Sequence, residues 1–329
     1  MREAPLLAIQ IVTWNSADTI GACLASLAAQ SLREFELVVV DNASRDETAA
    51  QVERAFAQGL PGSFVRSDRN TGFCGGQNLA LAHSRAPWVL LLNPDATLTV
   101  DFVQRAQARL SALDSEIGTL APLLLLPDGR VDSSGLFLDP LRRVFDRGQG
   151  QPAASYAQDE DVFGCTGAAA LHRRAMLLDV AEAGCVLDER LFAYYDDLDL
   201  SWRAQLRGWR CRFTPSLVVQ HARAGRNSLR SSDPGRAFEQ RLAVRNRLLV
   251  LLKCERGRDA LTALPRLLPY EFARLCYVAL RAPRLLPGYV DALRLAPSIW
   301  RSRRLIRRRA RPARLLAAPF FPYRQRDAS

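Results

Sequence analysis

The chain has 329 residues, of which 48% are hydrophobic and 24% charged, a composition that excludes a disordered or fibrous protein. The formal net charge is +11, but residues 235–329 hold 22 Arg and Lys against 6 Asp and Glu, which leaves residues 1–234 slightly acidic. Seven cysteines occur without any C-x-x-C pair, which argues against a zinc site and indicates reduced thiols in the cytosol.

The first third of the chain alternates strand-like and helix-like segments. Apolar runs predict strands at 6–13, 35–40, 63–66 and 88–92, and helical periodicity predicts helices at 20–30, 46–58 and 79–84. The N-terminal sequence MREAPLLAIQIVTWN enters the first strand without a signal-peptide pattern. No uncharged apolar run approaches the roughly 18 residues of a membrane-spanning helix. Such alternation favours βαβ units, and the predicted fold class is α/β with a mostly parallel central sheet flanked by helices.

Two of these strands end in oxygen-bearing side chains. Asp41 follows the second strand, and the sequence VLLLNPDATL stops its strand at Pro94, which leaves Asn93 and Asp95 at the strand end. Right-handed crossovers place both ends on the same sheet edge, where ligands bind in open α/β sheets. Oxygen ligands at this edge suit Mg²⁺ or Mn²⁺ shared with phosphate. The alternative is that these are ordinary turn residues.

A glycine-rich loop is predicted at 69–78, between the strand at 63–66 and the helix at 79–84. Gly72, Gly75 and Gly76 allow a ligand to approach the backbone, and the following helix N-terminus attracts phosphate. The spacing is neither G-x-G-x-x-G nor that of a P-loop, so neither of those nucleotide folds is indicated.

The middle of the chain is less regular. A strand is predicted at 119–126 with a hairpin turn at Asp128-Gly129, and residues 139–160 are predicted to form a mobile loop. The small residues of CTGAAA, including Gly167, permit close approach of a sugar or a neighbouring backbone. A tight turn before a helix explains them equally well.

The second informative stretch is LDERLFAYYDDLDLSWRAQLRGW at 187–209. Helical spacing of its large apolar residues predicts a helix that starts near Asp197, beside Asp196, Asp199 and aromatic Tyr195. Acids at a helix start are favoured by the dipole alone, but a carboxylate in a partly apolar pocket also serves as a general base. Two short strands are predicted at 210–214 and 217–220. They end at His221, which is either structural or a ligand for Mn²⁺.

Six motifs occur in order along residues 5–250: VVVDNAS, NTGFCGGQN, LLLNPDA, CTGAAALHRR, FAYYDDLDLSWRAQLRGW and HARAGRNS. Together they resemble the family 2 inverting glycosyltransferases of GT-A fold, in particular the bacterial rhamnosyltransferase-like branch that includes galactofuranosyltransferases. The resemblance implies a catalytic domain over 1–234, with a nucleotide-binding half of about 1–98 and an acceptor half of about 99–234. A basic helical region at 235–329 follows it.

The resemblance also implies roles for single residues. The expected catalytic pair is Asp196-Asp197 with Asp197 as the base, although the family more often has Glu at the first position. The metal motif usually written D-x-D is here Asn93-Pro94-Asp95, with His221 as a further metal ligand. The acceptor side is expected to include Gly167 and Tyr195. The residues expected to bind the nucleotide-sugar are Asp41, Arg69, Asn70, Gly72, Phe73, Asn78, Asn93 and Asp95.

The implied reaction is direct displacement at an anomeric carbon, with Mg²⁺ or Mn²⁺ neutralising the diphosphate. We expect dTDP-rhamnose as the donor, with UDP-galactofuranose or another UDP-sugar as the alternative. The expected acceptor is a hydroxyl of a glycan or polyprenyl-linked molecule in cell-surface polysaccharide synthesis. A non-catalytic nucleotide-sugar-binding scaffold and a nucleic-acid-binding protein are the rival functions, and no nucleic-acid motif supports the second.

The basic C-terminal region alternates apolar residues with arginine. Prolines at 265, 269, 283, 287 and 297 predict short helices, and basic amphipathic helices bind anionic membrane surfaces. The alternative is a charged face that packs on the catalytic domain or on a second subunit, so a homodimer is possible. The predicted location is cytoplasmic, on the inner face of the cell membrane. The residues expected to contact lipid include Leu264, Leu267, Leu268, Phe272, Leu275, Arg266, Arg274, Trp300, Phe320, Phe321 and Tyr323.

Overall fold

The computed structural model describes residues 5–223, 236–255 and 257–310. The strands are β1 Leu7–Thr13, β2 Glu36–Asp41, β3 Ser63–Arg66, β4 Trp88–Leu92, β5 Ala96–Leu98, β6 Ile117–Leu125, β7 Val131–Ser133, β8 Leu136–Leu138, β9 Val144–Asp146, β10 Glu160–Val162, β11 Ala169–Arg173 and β12 Arg210–His221. The helices are α1 Ile20–Ala28, α2 Thr48–Ala57, α3 Gly72–Ala82, α4 Phe102–Ser111, α5 Arg174–Val180, α6 Asp196–Arg207, α7 Ala237–Cys254, α8 Gly257–Arg281 and α9 Leu286–Arg309.

One large sheet organises the molecule, in the strand order β10-β12-β6-β11-β4-β1-β2-β3. Strands β3, β2, β1 and β4 are mutually parallel, as are β6 and β12. Strand β11 runs antiparallel to both β4 and β6 and joins the two parallel parts. The predicted α/β class with a central sheet between helices is confirmed, and the antiparallel insertion makes the sheet mixed.

Helices cover both faces of this sheet. Because side chains alternate along a strand, Leu90 of β4 packs in a buried cluster with α1 and α4, while Val89 and Leu91 pack in a second cluster with α5 and α6. Both faces of β4 are therefore apolar, as its uninterrupted hydrophobic run predicts.

Three local predictions are wrong. The glycines predicted in a loop at 69–78 lie in helix α3, which begins at Gly72. The loop predicted at 139–160 contains β9 and the first residue of β10. The two short strands predicted near residues 210–220 are one strand, β12, with an irregularity between Thr214 and Val218. Glycine and proline residues mark a change of backbone geometry, which is not always the end of a helix or strand.

The C-terminal helices also differ from the prediction. Helix α8 runs through Pro265 and Pro269, and α9 runs through Pro297, instead of breaking there. All three prolines are exposed, so water can bond the carbonyl oxygens whose helical hydrogen bonds they remove. None of the helices in the described ranges is long and apolar enough to cross a bilayer.

Helix α7 is packed into the body of the protein. The predicted domain boundary near residue 234 lies outside the described residues, but Leu249 and Val250 of α7 share a buried cluster with Leu198 and Trp202 of α6. Lys253 of α7 is 1% exposed and forms ion pairs at 2.8–3.0 Å with Asp188, Asp199 and Glu182. Part of the basic region is thus a structural component of the fold.

Candidate active site

The carboxyl ends of β1, β2 and β4 meet at one edge of the sheet, as their parallel register requires. Asp41 closes β2 there and is 2% exposed. Its carboxylate accepts hydrogen bonds from the Thr13 hydroxyl at 3.1 Å, from the Ser44 backbone N–H at 3.2 Å and from the Ser44 hydroxyl. These donors hold Asp41 at the position where the sequence predicts a nucleotide contact.

Asp95 and His221 come together at the same edge. Strand β12 pairs with β5 so that His221 lies opposite Ala96, and the His221 Nε2 atom is 3.3 Å from the Asp95 Oδ1 atom. The other ring nitrogen, Nδ1, lies 2.7 Å from the Oδ2 atom of buried Asp132. Burial lowers the pKa of His221, but hydrogen bonds to Asp132 and Asp95 outweigh it and raise the pKa to about 9. The structure therefore brings together two of the three predicted metal ligands.

Asp132 belongs to a charged chain that sequence reasoning missed. Its carboxylate also accepts a hydrogen bond from Arg223, whose guanidinium bonds Asp146 at 2.9 Å. Burial raises the pKa of Asp146, and the nearby Arg223 opposes that shift. Asp132 lies in the buried strand β7 and Asp146 at the end of β9. An acid inside a short buried strand is the one sequence signal that points to such a residue.

The residues at this edge fit a divalent cation shared with a substrate. Across residues 5–223, 236–255 and 257–310, no three or more His, Cys, Asp and Glu side chains are grouped to hold a metal alone. Asp95 and His221 form a mixed oxygen and nitrogen set of two, and Mg²⁺ in particular commonly takes few protein ligands and completes its shell with water and phosphate oxygens. A carboxylate behind the imidazole is the usual way to orient a histidine ligand, and Asp132 occupies that place.

The backbone of Asn93 fixes the neighbouring turn. Its N–H donates to the Ala168 carbonyl at 2.9 Å, and its own carbonyl accepts from the Ala96 N–H at 3.1 Å. These two hydrogen bonds fix the Asn93-Pro94-Asp95 turn at the end of β4.

The start of α3 lies beside Asp41. Asn42 is buried, its amide donates to the Gly72 carbonyl at 2.8 Å, and its oxygen accepts from the Thr71 hydroxyl at 3.0 Å. Gly72 has φ +73°, and a Cβ there would lie 2.4 Å from the Phe192 carbonyl oxygen. A Cβ at Gly76 would meet Val12 at 2.5 Å. These glycines let a helix pack tightly on the sheet and on the 192 segment, which explains their clustering without a phosphate loop.

Three other predicted nucleotide contacts have distinct surroundings. Asn70 accepts the Gly72 N–H at 2.8 Å and so shapes the entrance to α3, while Arg69 is exposed beside it. Asn78 is engaged elsewhere: its amide nitrogen donates to the Leu187 carbonyl at 2.9 Å, and its oxygen accepts the Leu187 N–H at 3.0 Å. Asn78 thus has a structural role here, and its nucleotide role stays a prediction.

Asp196 and Asp197 begin helix α6, as predicted. Burial and the charge of Asp197 raise the pKa of Asp196 to about 8. Burial raises the pKa of Asp197 to about 6, with the charge of Asp146 adding to it and backbone N–H groups of Leu198 and Gly167 opposing it. Burial and mutual repulsion thus make this pair of carboxyl groups hold protons at higher pH than exposed aspartates do. Asp197 is then a charged but unusually basic carboxylate.

Residues Gly167 and Ala168 connect the two halves of the site. The Ala168 carbonyl accepts the Asn93 N–H, and the neighbouring Gly167 N–H donates to the Asp197 carboxylate. A Cβ at Gly167 would lie 3.5 Å from the Phe73 ring and 3.6 Å from the Asp196 Oδ2 atom. The strand end at Asn93 and the acids of α6 are therefore one site, with Gly167 and Phe73 between them.

Tyr195 has partners inside the protein. It has φ +66° and its ring packs against the cluster under α6 and α7. Its hydroxyl is hydrogen-bonded to Arg247 of α7, with Arg274 and Glu271 of α8 nearby. Tyr195 thus has an internal contact with the C-terminal helices, and its acceptor contact stays a prediction.

Comparison with known proteins identifies relatives of this chain. The sequence model described as glycosyl transferase family 2 matches residues 8–178. The chain is 32% identical over 131 residues to the succinoglycan biosynthesis protein ExoO of Rhizobium meliloti, a match that covers 39% of this chain and 36% of the relative. It is 26% identical over 247 residues to the N-acetylglucosaminyl-diphospho-decaprenol L-rhamnosyltransferase of Mycobacterium tuberculosis, covering 67% and 76%. The match spans only about a third of the first of these relatives.

Solved structures share the fold. A mannosyltransferase from Pyrobaculum calidifontis in complex with GDP-Man and Mn²⁺ superposes with a TM-score of 0.56 at 18% identity, over 93% of this chain and 86% of that one. S. aureus TarS 1–349 in complex with UDP-GlcNAc gives a TM-score of 0.56 at 16% identity, over 91% of each chain. At these identities the likeness bears on architecture, and the predicted GT-A fold is confirmed.

Proposed function

The chain belongs to glycosyl transferase family 2, and from this premise we propose that it is an inverting enzyme that moves a sugar from a nucleoside-diphosphate sugar to an acceptor hydroxyl. The observation that carries the proposal is the link through Gly167 and Ala168, which joins the Asn93 end of β4 to the carboxylate of Asp197. A leaving-group site and a general base at the two ends of such a short link are what a direct displacement requires.

Asp197 is the proposed base. Its pKa of about 6 leaves it mainly charged at neutral pH, yet more basic than an exposed aspartate. It takes the proton of the acceptor hydroxyl while that oxygen attacks the anomeric carbon from the face opposite the diphosphate. The bond to the diphosphate breaks in the same step, so the configuration inverts. Asp196, with a pKa of about 8, keeps its proton and adds no second negative charge beside the base.

Asp95 and His221 are proposed to hold a divalent cation, with Asn93 as a third ligand and Asp132 fixing the imidazole. Bound Mg²⁺ or Mn²⁺ supplies positive charge to the diphosphate oxygens as the leaving group departs. Asp41 is proposed to contact the base or ribose, and Arg69, Asn70, Gly72 and Phe73 to line the donor side. The Pyrobaculum mannosyltransferase complex contains Mn²⁺, which supports this choice of cation.

The donor we favour is dTDP-rhamnose. Its support is the mycobacterial relative named as an L-rhamnosyltransferase, at 26% identity. A galactofuranosyl or other UDP-sugar donor is the alternative, and the solved relatives that bind UDP-GlcNAc and GDP-Man illustrate the range that this fold accepts. The proposed acceptor is a hydroxyl of a glycan or of a polyprenyl-linked molecule in cell-surface polysaccharide synthesis. The names of the relatives that concern succinoglycan and a diphospho-decaprenol support that class.

We also propose that helices α8 and α9 dock on an anionic membrane surface from the cytoplasmic side. Large apolar side chains on α8 recur every three or four residues and are exposed, among them Leu261, Leu268 and Phe272 at 70%, 62% and 69%. This spacing places them on one face of the helix. An apolar face with this much exposure is rare in a protein surrounded only by water.

The charged part of this surface lies on α9. Trp300 and Leu305 are 44% and 47% exposed there, among the exposed arginines Arg301, Arg304 and Arg308. Apolar side chains with interspersed arginines favour the interface of an anionic bilayer, and each arginine near it contributes about 1 kcal/mol at low salt.

Two residues of the predicted lipid contact face the protein instead. Leu267 is 8% exposed and Arg274 bonds Glu271 at 2.9 Å, so neither belongs to this surface. The aromatic residues Phe320, Phe321 and Tyr323 lie outside the described residues. The lipid surface is therefore assigned to α8 and the second half of α9.

The function is tested by a thermal-shift screen of nucleotide-sugars with Mn²⁺, followed by a transfer assay with the best donor. A ligand at 100 times its Kd stabilises the native state by about 2.7 kcal/mol, which is readily measured. We expect dTDP-rhamnose or a UDP-sugar to raise Tm and the product to have the inverted anomeric configuration by NMR. A donor that binds without transfer or hydrolysis would indicate a scaffold. A salt-sensitive shift of nucleic acid in a gel, with no nucleotide-sugar bound, would indicate the other rival.

A further inference from the structure

The segment just before the catalytic acids has a strained backbone. Phe192, Tyr194 and Tyr195 have φ of +67°, +68° and +66°, a region that bulky side chains rarely adopt. Phe192 is the centre of a γ-turn, since the Ala193 N–H donates to the Leu191 carbonyl at 2.8 Å and ψ of Phe192 is −64°. Such a conformation persists only where neighbouring groups hold it.

One side chain of α7 bonds three carbonyl oxygens of this segment. Asn246 is fully buried, and its amide nitrogen donates to the carbonyl oxygens of Leu191, Ala193 and Tyr194 at 2.9, 2.8 and 2.8 Å. The two N–H groups of one amide are thus shared among three acceptors of the strained segment. No other residue type of this size offers two donors at the end of so short a side chain.

The residues on either side of Asn246 are hydrogen-bonded to the same segment. Arg245 donates to the carbonyl oxygens of Arg190 and Leu191 at 2.8 and 2.9 Å, and its Nε atom bonds the Asn246 oxygen at 2.9 Å. Arg247 is hydrogen-bonded to the hydroxyl of Tyr195. Three consecutive residues of α7 therefore hold residues 190–195.

The segment is connected directly to the acids. The Tyr194 N–H donates to the carboxylate of Asp196, and Tyr195 is the N-cap residue immediately before α6. On the other side, the Phe192 carbonyl accepts the Cys74 N–H of α3 at 3.0 Å. The position of Asp196 and Asp197 relative to α3 thus depends on a backbone that Asn246 holds.

We propose that Asn246 is a positioning residue for glycosyl transfer, which sets the start of α6 by bonding three carbonyl oxygens of the strained segment 191–195. This inference rests on the proposed function, because the reaction it serves is sugar transfer by Asp197. Displacing a general base by about 1 Å lowers turnover by about 10²-fold while leaving the donor site in place.

The test uses the full chain with Asn246→Ser, which keeps one short donor, and Asn246→Asp, which keeps the shape and removes both donors. The matched control is Val244→Ala, two residues earlier on α7, whose side chain packs in a buried cluster with Val278 and Leu285. All are compared at a temperature where circular dichroism shows each of them folded, with Tm measured for each.

We expect kcat to fall at least tenfold in Asn246→Ser and further in Asn246→Asp, with the donor KM within about twofold of the parent. Val244→Ala lowers Tm and leaves kcat unchanged. Hydrogen exchange at the amides of residues 191–198 accelerates only in the Asn246 variants. The inference is overturned if kcat follows Tm equally in all three variants, or if the loss appears in the donor KM instead.

A protein without transfer activity would refute the proposed function and with it the catalytic role given to Asn246, but not the hold of Asn246 on residues 191–195. In that case hydrogen exchange decides, since the same amides lose protection in Asn246→Ser if Asn246 holds the segment. If Asn246→Asp does not fold, the test uses Asn246→Ser and its hydrogen exchange. Unchanged turnover and unchanged amide protection at residues 191–198 in Asn246→Ser then overturn the inference.

Discussion

Replacement of Asp197 by Asn removes the proposed base with little change of shape. The Leu198 N–H donates to the Asp197 Oδ1 atom at 2.7 Å, and an asparagine oxygen accepts that bond equally well. The variant loses the ability to accept a proton. It also loses the negative charge of Asp197, which the nearby charge of Asp146 disfavours. The variant is therefore a clean test of the role that the geometry gives to this carboxylate.

The magnitude follows from general-base catalysis and from the pKa. Loss of a positioned base costs about 10²–10⁴-fold in kcat, equal to about 3–5 kcal/mol in the barrier. A pKa of about 6 means that Asp197 accepts protons above that pH and loses this ability as pH falls through it. At pH 5 about a tenth of the molecules hold the charged form, so kcat/KM of the parent falls about tenfold from its plateau.

The assay measures kcat and the donor KM from pH 4.5 to 8.5. The parent should show an acid limb near pH 6, and Asp197→Asn should be about 10²–10⁴-fold slower without that limb, at unchanged KM. The control is Asp161→Asn, an aspartate on β10 whose partners are Arg210 and Arg212, outside the site. Near-parental turnover in Asp197→Asn, or an acid limb that persists in it, would refute the assignment.

The remaining predictions concern metal and membrane. EDTA should abolish transfer, and Mn²⁺ or Mg²⁺ should restore it. Asp132→Asn should raise the half-saturating metal concentration by about 10–100-fold, because the His221 imidazole loses the carboxylate that orients it. Full activity in EDTA would contradict a metal site at Asp95. For the membrane, the full chain should float with anionic but not neutral liposomes at low salt. Leu268→Ser with Phe272→Ser should reduce flotation, whereas the exposed Leu178→Ser on α5 should not; equal flotation of all variants would exclude α8.

Point variants suit the membrane test better than a truncation near residue 232. Such a truncation removes α7, and with it Asn246 and the buried Lys253, whose ion pairs reach Asp188, Asp199 and Glu182. A protein shortened there loses part of its core and the support of its catalytic segment. Loss of flotation would then report misfolding as readily as loss of lipid contact.

The sequence alone determined the elements whose signal is local. Uninterrupted apolar runs predicted β1, β2 and β4, because a strand covered on both faces has no polar side. Asp41, the Asn93-Pro94-Asp95 turn and the Asp196-Asp197 pair were located because each stands at the end of a regular apolar pattern. Parallel strands with right-handed crossovers then brought Asp41 and Asp95 to one edge, and six ordered motifs indicated the family.

Only the tertiary structure decided which side chains support these residues. Asp132 lies 89 residues before the histidine that it holds, and Asn246 lies 52 residues beyond one of the carbonyls it bonds. No local pattern distinguishes such residues, because their role depends on which surfaces the fold brings together. The same holds for Gly72 and Gly76: a close helix-to-sheet contact and a phosphate loop both require a missing Cβ, so composition cannot separate them. The internal partners of Tyr195 in α7 and of Asn78 in the 187 segment likewise follow only from the packing of the fold.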